Sequence, residues 1–495
     1  MKKLICTVLA LMLLLCGCTT DVSGTTETTW DGLHRAQILE EEVVFEAWEQ
    51  EGLPTEGCYY LTQDVILTSS VEVTGLLMLH LNGHTVSSEE GVSCGSYFVV
   101  PAGCGLTLYD APEAEGAIVS PRSYSGKPTI TNMVKVAGLF TMAGGNLDGT
   151  AISLENVANG TCVYVEQGGV FDLVGGTITG GSALCTTLEV PQAPVEDQMG
   201  DGVELEFEPA EIIGKGGAVY VAPGGACNVS GGVIQNGMAG LGGNIYVDGN
   251  EESEGILTLS GGTITEGEAM FHGGNIYSCG KVILSGGELL SGGACLNGGN
   301  VYSERGSVEV MDGAYVYGGT SAKYKNGGIG GNFFICIDSS MTVTGGLVTA
   351  GNATGNLNNI HSNLRCEGEF YMDAGQITGR VSFSKTSSSY FCGTLDITCD
   401  SWELNVEPAA SMVFGPCAEG TTAMLFLRIT YFDSAKHWNK GAVPVLQLED
   451  GVDIDINTFF TVKAYDEKGT ARTFNLRQEG DRLYFVETTQ PEAEG

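Results

Sequence analysis

The stretch GGNIYV at residues 242–247 decides the fold, because it does not stand alone. It returns as GGAVYV at 216–221, GGNIYS at 273–278, GGNVYS at 298–303 and GGNFFI at 330–335. Looser copies lie upstream, GTCVYV at 160–165, and downstream, NNIHS at 358–362. The third residues are Ala218, Asn244, Asn275, Asn300, Asn332 and Asn359, at steps of 26, 31, 25, 32 and 27. A second motif, apolar-x-Gly-Gly-x-apolar, follows the first: LVGGTI at 173–178, VSGGVI at 229–234, LSGGTI at 259–264, LSGGEL at 284–289 and VTGGLV at 343–348. Each unit therefore holds three short alternating runs separated by glycines. One such unit cannot bury its apolar face alone, so neighbouring units must stack. Stacking sets like residues over like, ~4.8 Å apart, along three sheets. The glycines supply the sharp corners. The expected class is all-β, a solenoid.

This pattern resembles the right-handed, three-sheet parallel β-helix family, the pectin-lyase-like fold. Asn244, Asn275, Asn300, Asn332 and Asn359 resemble the asparagine ladder at one turn of such helices, a structural device in which side-chain amides bond to one another. The succession GCYYLTQDVIL (57–67), LHLNGHTV (79–86) and CGLTLYD (104–110) resembles the opening coils of exported bacterial β-helix proteins. The expected helix covers residues 55–420. The fold is associated with polysaccharides, an analogy and not evidence of function. The family's glycosidases carry Asn-Thr-Asp, Asp-Asp and Gly-His-Gly segments, and none occurs here. Its lyases pair acidic Ca²⁺ ligands with an Arg or Lys base. Lys215, Arg305, Lys323 and Lys325 lie near the expected edge, in no matching motif. The catalytic residues, if there are any, are unassigned, and the expectation leans away from an enzyme.

Composition narrows the partners. The 495 residues include 74 Gly and only 13 Pro, and 60 acidic against 22 basic side chains give a net charge of −38. Nucleic acid is excluded as a partner, since phosphate binding needs a basic surface. Docking on anionic lipid through a basic patch is excluded for the same reason. Lys2 and Lys3 precede an apolar run, Leu4 to Leu15, too short to span a bilayer. The run ends Leu15-Cys16-Gly17-Cys18, which resembles the lipobox of bacterial lipoproteins. Residues 1–17 are then a signal peptide, Cys18 the lipidated first residue, and 18–30 a Thr-rich tether. That resemblance places the protein on the bacterial cell surface, touching the membrane through its anchor alone. Of the 16 cysteines, those inside repeats read as small buried residues of the stack.

The spacing of Leu33, Ile38, Val43, Val44, Phe45 and Trp48 predicts a helical cap over 31–54, because an open solenoid end is an exposed sheet edge. Residues 421–487 lose the glycine repeat and read as a β-rich C-terminal cap, followed by an acidic tail at 488–495. An acidic insertion at 186–213 lengthens one coil. Its Glu196, Asp197 and Asp201 are oxygen donors of the kind Ca²⁺ takes, without EF-hand or RTX spacing. No cofactor other than that Ca²⁺ is expected.

Two residues beyond each ladder position stand Tyr220, Tyr246, Tyr277, Tyr302, Phe334 and His361, with Tyr164 in the looser upstream copy. Strand alternation turns this row outward. Exposed aromatic faces suit sugar rings, which makes Tyr164, Tyr220, Tyr246, Tyr277, Tyr302 and Phe334 the candidate ligand-binding row. The expected function is non-enzymatic binding of a polysaccharide or cell-surface glycan, or adhesion, by a lipid-anchored monomer. The alternatives are a divergent polysaccharide lyase or glycoside hydrolase, and a structural envelope spacer.

Overall fold

The structure is a computed structural model. It describes residues 28–487 apart from 31–32, 39–40, 90–94, 121–129, 151–158, 184–213, 322–327, 354–362, 380, 385, 394–401, 405–410, 418–422, 429–445, 454, 457–459, 466–470 and 473. The expected signal segment with Cys18, the candidate Ca²⁺ ligands Glu196, Asp197 and Asp201, and Asn359, His361, Lys323 and Lys325 lie outside the described residues.

Alternating apolar residues between glycine corners give short strands, and each strand pairs in parallel with its counterpart one coil away. In the central coils these pairs form four columns. The first runs through Val163–Val165, Val219–Val221, Ile245–Val247 and Ile276–Ser278, then the starts of Val301–Val310 and Phe333–Thr349, then Leu364–Cys366 and Val381–Phe383. The second runs through Ala226–Val229, Ile256–Leu259 and Lys281–Leu284. The third runs through Val233–Gln235, Thr263–Thr265, Glu288–Leu290 and Tyr315–Tyr317. The second motif joins columns two and three, and strands such as Val170–Thr179 pass straight through that corner. A short fourth column, from Ser182–Ala183 through Met238–Leu241, Glu268–His272, Gly293–Ala294 and Thr320–Ser321 to Asn352–Ala353, forms a sheet of its own.

Register puts equivalent residues in vertical files. Val163, Val219, Ile245, Ile276, Val301, Phe333 and Leu364 are all fully buried and follow one another in the first column. One apolar core extends along the chain from Leu53 to Leu483. The first glycine of each GG sextet turns the chain with φ between +65° (Gly242) and +73° (Gly330), a region that a side chain rarely enters. The corner after column three has the same left-handed turn without glycine in most coils, at Asn236, Glu266, Ser291 and Ala350.

The N-terminal cap is β-structure, not the expected helix. Leu33–Ile38 and Glu41–Trp48 pair antiparallel, and Glu41–Trp48 pairs in parallel with Gly57–Leu61, the first edge of the solenoid. Along that strand Val43 is buried, Val44 exposed and Phe45 buried, the two-residue period of a strand. The apolar spacing also suits a helix. An open sheet edge offers backbone partners to a strand alone, and Val-Val-Phe is strand-forming, so the edge settles the choice. At the other end parallel pairing continues to Ala423–Arg428 and Phe460–Tyr465. An antiparallel hairpin of Phe474–Glu479 and Arg482–Glu487 then turns back onto Leu446–Leu448.

Candidate functional site

The turn before column one carries the asparagines. Asn244 Nδ2 donates to Asn275 Oδ1 at 2.8 Å, Asn275 to Asn300 at 2.7 Å, Asn300 to Asn332 at 2.6 Å and Asn332 to Asn363 at 2.6 Å. Each carboxamide also has backbone partners. Asn275 Oδ1 accepts from the Gly267 N–H at 2.9 Å, and its Nδ2 donates to the Leu290 carbonyl at 2.7 Å. All of these asparagines are 0–1 % exposed. Donor and acceptor demand is met within a dry column, as buried amides require. The rung after Asn332 is Asn363. In the coil before Asn244 the ladder position is Ala218, and one coil earlier the Thr161 hydroxyl bonds to the Gly217 carbonyl and accepts from the Gly181 N–H.

Two residues on, the aromatic row is a continuous stack. Centroid separations are 4.9 Å for Tyr164–Tyr220, 5.6 Å for Tyr220–Tyr246, and 5.1 Å for both Tyr246–Tyr277 and Tyr277–Tyr302. Tyr302–Phe334 follows at 5.2 Å, and every pair lies within 19° of parallel. Each inner ring thus spends both faces on its neighbours. Lys135 stands in register before Tyr164, and Arg365 in register after Phe334. Cations therefore flank the stack at both ends, each paired with a carboxylate: Lys135 with Glu166 at 2.8 Å and Arg365 with Glu367 at 3.2 Å.

The row faces outward from the core, yet Tyr246 is only 3 % and Tyr277 5 % exposed. A roof explains this. Lys215, Leu241 and His272 follow one another in register just ahead of column one. The Lys215 ammonium sits 4.5 Å from the Tyr246 ring centroid, and the His272 ring stacks on Tyr302 at 4.2 Å. Leu241 packs against the same cluster. The aromatic row read from the sequence as solvent-facing is therefore buried at Tyr220, Tyr246, Tyr277 and Phe334 and half-buried at Tyr164 and Tyr302.

The hydroxyl edge meets a mixed file. Ala222, Asp248, Cys279, Glu304, Cys336 and Glu367 each follow the last residue of a column-one triplet. Tyr220 Oη donates to Asp248 Oδ2 at 2.5 Å and Tyr277 Oη to Glu304 Oε2 at 2.8 Å. Tyr246 Oη lies 3.6 Å from Cys279 Sγ, which donates to Glu304 Oε2 at 3.1 Å. Burial first, and these carboxylates second, push the tyrosine hydroxyls above their ordinary range, so they remain donors. Burial likewise pushes the Cys279 thiol up to about 11 and Cys336 to about 12, which leaves them inert. Among the described residues Cys104, Cys162, Cys227, Cys279, Cys336, Cys366 and Cys392 are free thiols.

Burial draws His272 down to about 4. Unfolded, the ring titrates near 6.5. Between these values the unfolded chain binds the extra proton, so acidification from pH 6.5 to 4 weakens the fold. Above pH 6.5 the penalty is absent. Thermal midpoints measured across this range should fall more steeply for the native protein than for His272→Phe, which keeps the stack on Tyr302. Parallel curves for the two would show that His272 does not titrate under the roof.

Among the described residues the most exposed aromatics lie elsewhere. Tyr317 is 44 % exposed and stacks on Tyr315 at 5.9 Å, on the outer side of column three. Tyr371 is 36 % exposed and stacks on Tyr390 at 5.7 Å, on the outer side of column two. Sequence alternation marks these as outward but not as uncovered. Lys215, two positions after the 186–213 insertion in sequence, also has its Nζ 3.9 Å from Asp248 Oδ2. A shallow cleft of about 590 Å³ is formed by residues 50–53, 55 and 63–72. Among the described residues no group of three His, Cys, Asp or Glu side chains is arranged to hold a metal ion.

Comparison with protein-family descriptions, curated proteins and solved structures finds no match to this chain.

Proposed function

We propose that the protein is an exported, lipid-anchored rod of the pectin-lyase-like kind that binds glycan on its outer walls without turning it over. The winding is right-handed, as parallel strand–crossover–strand connections nearly always are. Columns one to three are its walls and the short fourth column is an elaboration of one corner. The signal-like segment ending in Cys18 supplies export and anchor.

The observation that carries the binding reading is the pair of exposed tyrosines, Tyr317 and Tyr371, each stacked on a half-buried tyrosine, Tyr315 and Tyr390, on outer walls away from the roofed row. An aromatic ring open to water on a rigid wall suits the CH face of a sugar, with little ordering cost on the protein side. A glycan panel on the full chain tests it. Tyr317→Ala combined with Tyr371→Ala should weaken retention at least about tenfold, as loss of an aromatic anchor does. Tyr246→Phe, beneath the roof, should bind as the native protein does. Silence across a broad panel, or undiminished binding by the double variant, would refute the reading.

One observation favours a polysaccharide lyase or glycosidase instead. Lys215, Asp248 and Tyr220 bring a cation, a carboxylate and a phenol together. Release of soluble product from any glycan of the same panel, with or without Ca²⁺, would establish that reading in place of the first.

A further inference from the structure

We propose that the face built by Tyr371 and Tyr390 is a binding site for glycans that carry free amino groups. The proposal rests on the glycan-binding reading above and adds the chemistry of the sugar.

The two tyrosines sit opposite each other on Glu369–Ile377 and Ser388–Gly393. Their rings are 5.7 Å apart and within 4° of parallel. The next residues along the same outward row are Thr342 on one side and Val413 on the other. Thr342 is too small to cover the ring of Tyr371, which is 36 % exposed, so the stack is open on the Tyr371 side, unlike the six-membered row whose ends meet Lys135 and Arg365.

Carboxylates surround the pair. Tyr390 Oη donates to Glu449 Oε2 at 2.6 Å and Tyr371 Oη to Asp373 Oδ2 at 3.2 Å. Glu369, two residues before Tyr371 on the same side of the strand, is exposed, as is Glu449. Cys392 Sγ lies 3.4 Å from Tyr371 Oη. Arg482 lies further along the row, opposite Gln447, whose amide bonds to Asp481 at 2.6 Å. Ring faces and carboxylates both attract positive charge. A neutral pyranose gains only contact with the ring. An ammonium-bearing one gains cation–π attraction and a charge-assisted hydrogen bond as well. A polyuronate meets like charge, on a chain whose net charge is already −38.

Backbone pairing argues for a sugar over a basic peptide. Glu369–Ile377 is hydrogen-bonded to Phe333–Thr349 on one side and to Ser388–Gly393 on the other. No strand edge is free there for a peptide to extend, so recognition falls to the side chains alone.

The test uses the full chain in detergent at pH 6 with two probes of equal length, the glucosamine hexamer and its fully N-acetylated counterpart. Calorimetry should show the free-amine hexamer binding at least tenfold more tightly. Glu449→Gln and added NaCl should weaken the free-amine hexamer and leave the acetylated one unchanged. Tyr371→Ala should weaken the free-amine hexamer at least tenfold with an unchanged thermal midpoint, and Tyr371→Trp should retain binding. Equal affinity for both hexamers, both lost in Tyr371→Ala, would overturn the amine preference and keep the glycan reading. Binding indifferent to Tyr371→Ala would overturn the site. Hexalysine binding as tightly, with the same dependence on Tyr371, would replace the sugar by a basic peptide. No binding of either hexamer, with neutral glycans still retained on the panel, would overturn this proposal alone; no glycan bound at all would remove both.

Discussion

Gly274→Ala is expected to abolish stable folding of the solenoid, with loss of more than about 4 kcal/mol, a range reached only when backbone or core is displaced. Gly274 is the second glycine of GGNIYS. A Cβ placed there would overlap the Gly299 carbonyl oxygen and the Gly293 amide nitrogen, and would stand 2.7 Å from the Gly292 carbonyl carbon. All three belong to the backbone of the neighbouring coil, so no side-chain rotation relieves the overlap. The two coils would have to separate at the site where the Gly274 N–H bonds to the Gly298 carbonyl at 3.1 Å. Gly168→Ala is the control, since Gly168 has φ +78° and nothing within 4 Å of the added atom. It should cost about 1–2 kcal/mol, the ordinary left-handed penalty. Circular dichroism melts of both proteins decide the matter. A melting temperature for Gly274→Ala within a few degrees of native would mean that the coils are not packed backbone to backbone.

Asn275→Leu should cost about 3–5 kcal/mol, because it preserves volume and strands several partners at roughly 1–3 kcal/mol each. The Gly267 N–H, the Leu290 carbonyl, Asn244 Nδ2 and Asn300 Oδ1 all lose the carboxamide they meet at 2.7–2.9 Å. Asn275→Asp separates the two halves of the amide. The carboxylate still accepts from Gly267 and Asn244, but it sets negative charge against the Leu290 and Asn300 oxygens in a position 0 % exposed. The aspartate variant should therefore be least stable at neutral pH and recover in part in acid, where a protonated carboxyl can donate again. Melts of both variants between pH 4 and 8 read this out. A pH-independent Asp variant, or a Leu variant as stable as native, would show that the amide column is incidental to stability. Contacts in a solenoid run between neighbouring coils, so unfolding split into two transitions on either side of Asn275 is also expected.

The sequence makes the stack legible because vertical neighbours are also equivalent members of a repeat. Register in column one pairs Val219 with Ile245, Ile276 and Val301, the same position in each sextet. Finding the motif copies is therefore the same act as finding the contacts. The next ladder rung shows the limit. The looser copy at 358–362 points to Asn359, whereas the amide after Asn332 belongs to Asn363, beside a strand, Leu364–Cys366, that the motif does not describe. The left-handed corners at Glu266, Ser291 and Ala350 were equally unmarked, because no glycine signals them.

Repeat length, the inward and outward alternation, and the glycine corners are properties of the chain alone, since each is a local constraint on one coil multiplied by stacking. The roof is not. Lys215, Leu241 and His272 share no residue type, and they come together only because a corner of one coil lies over the aromatic of a neighbouring one. Which tyrosines meet water is for that reason a tertiary outcome, and so is the strand over 41–48 that a free sheet edge draws out of an ambiguous apolar spacing. Local pattern fixes what each residue offers; only the assembled walls determine what is left uncovered.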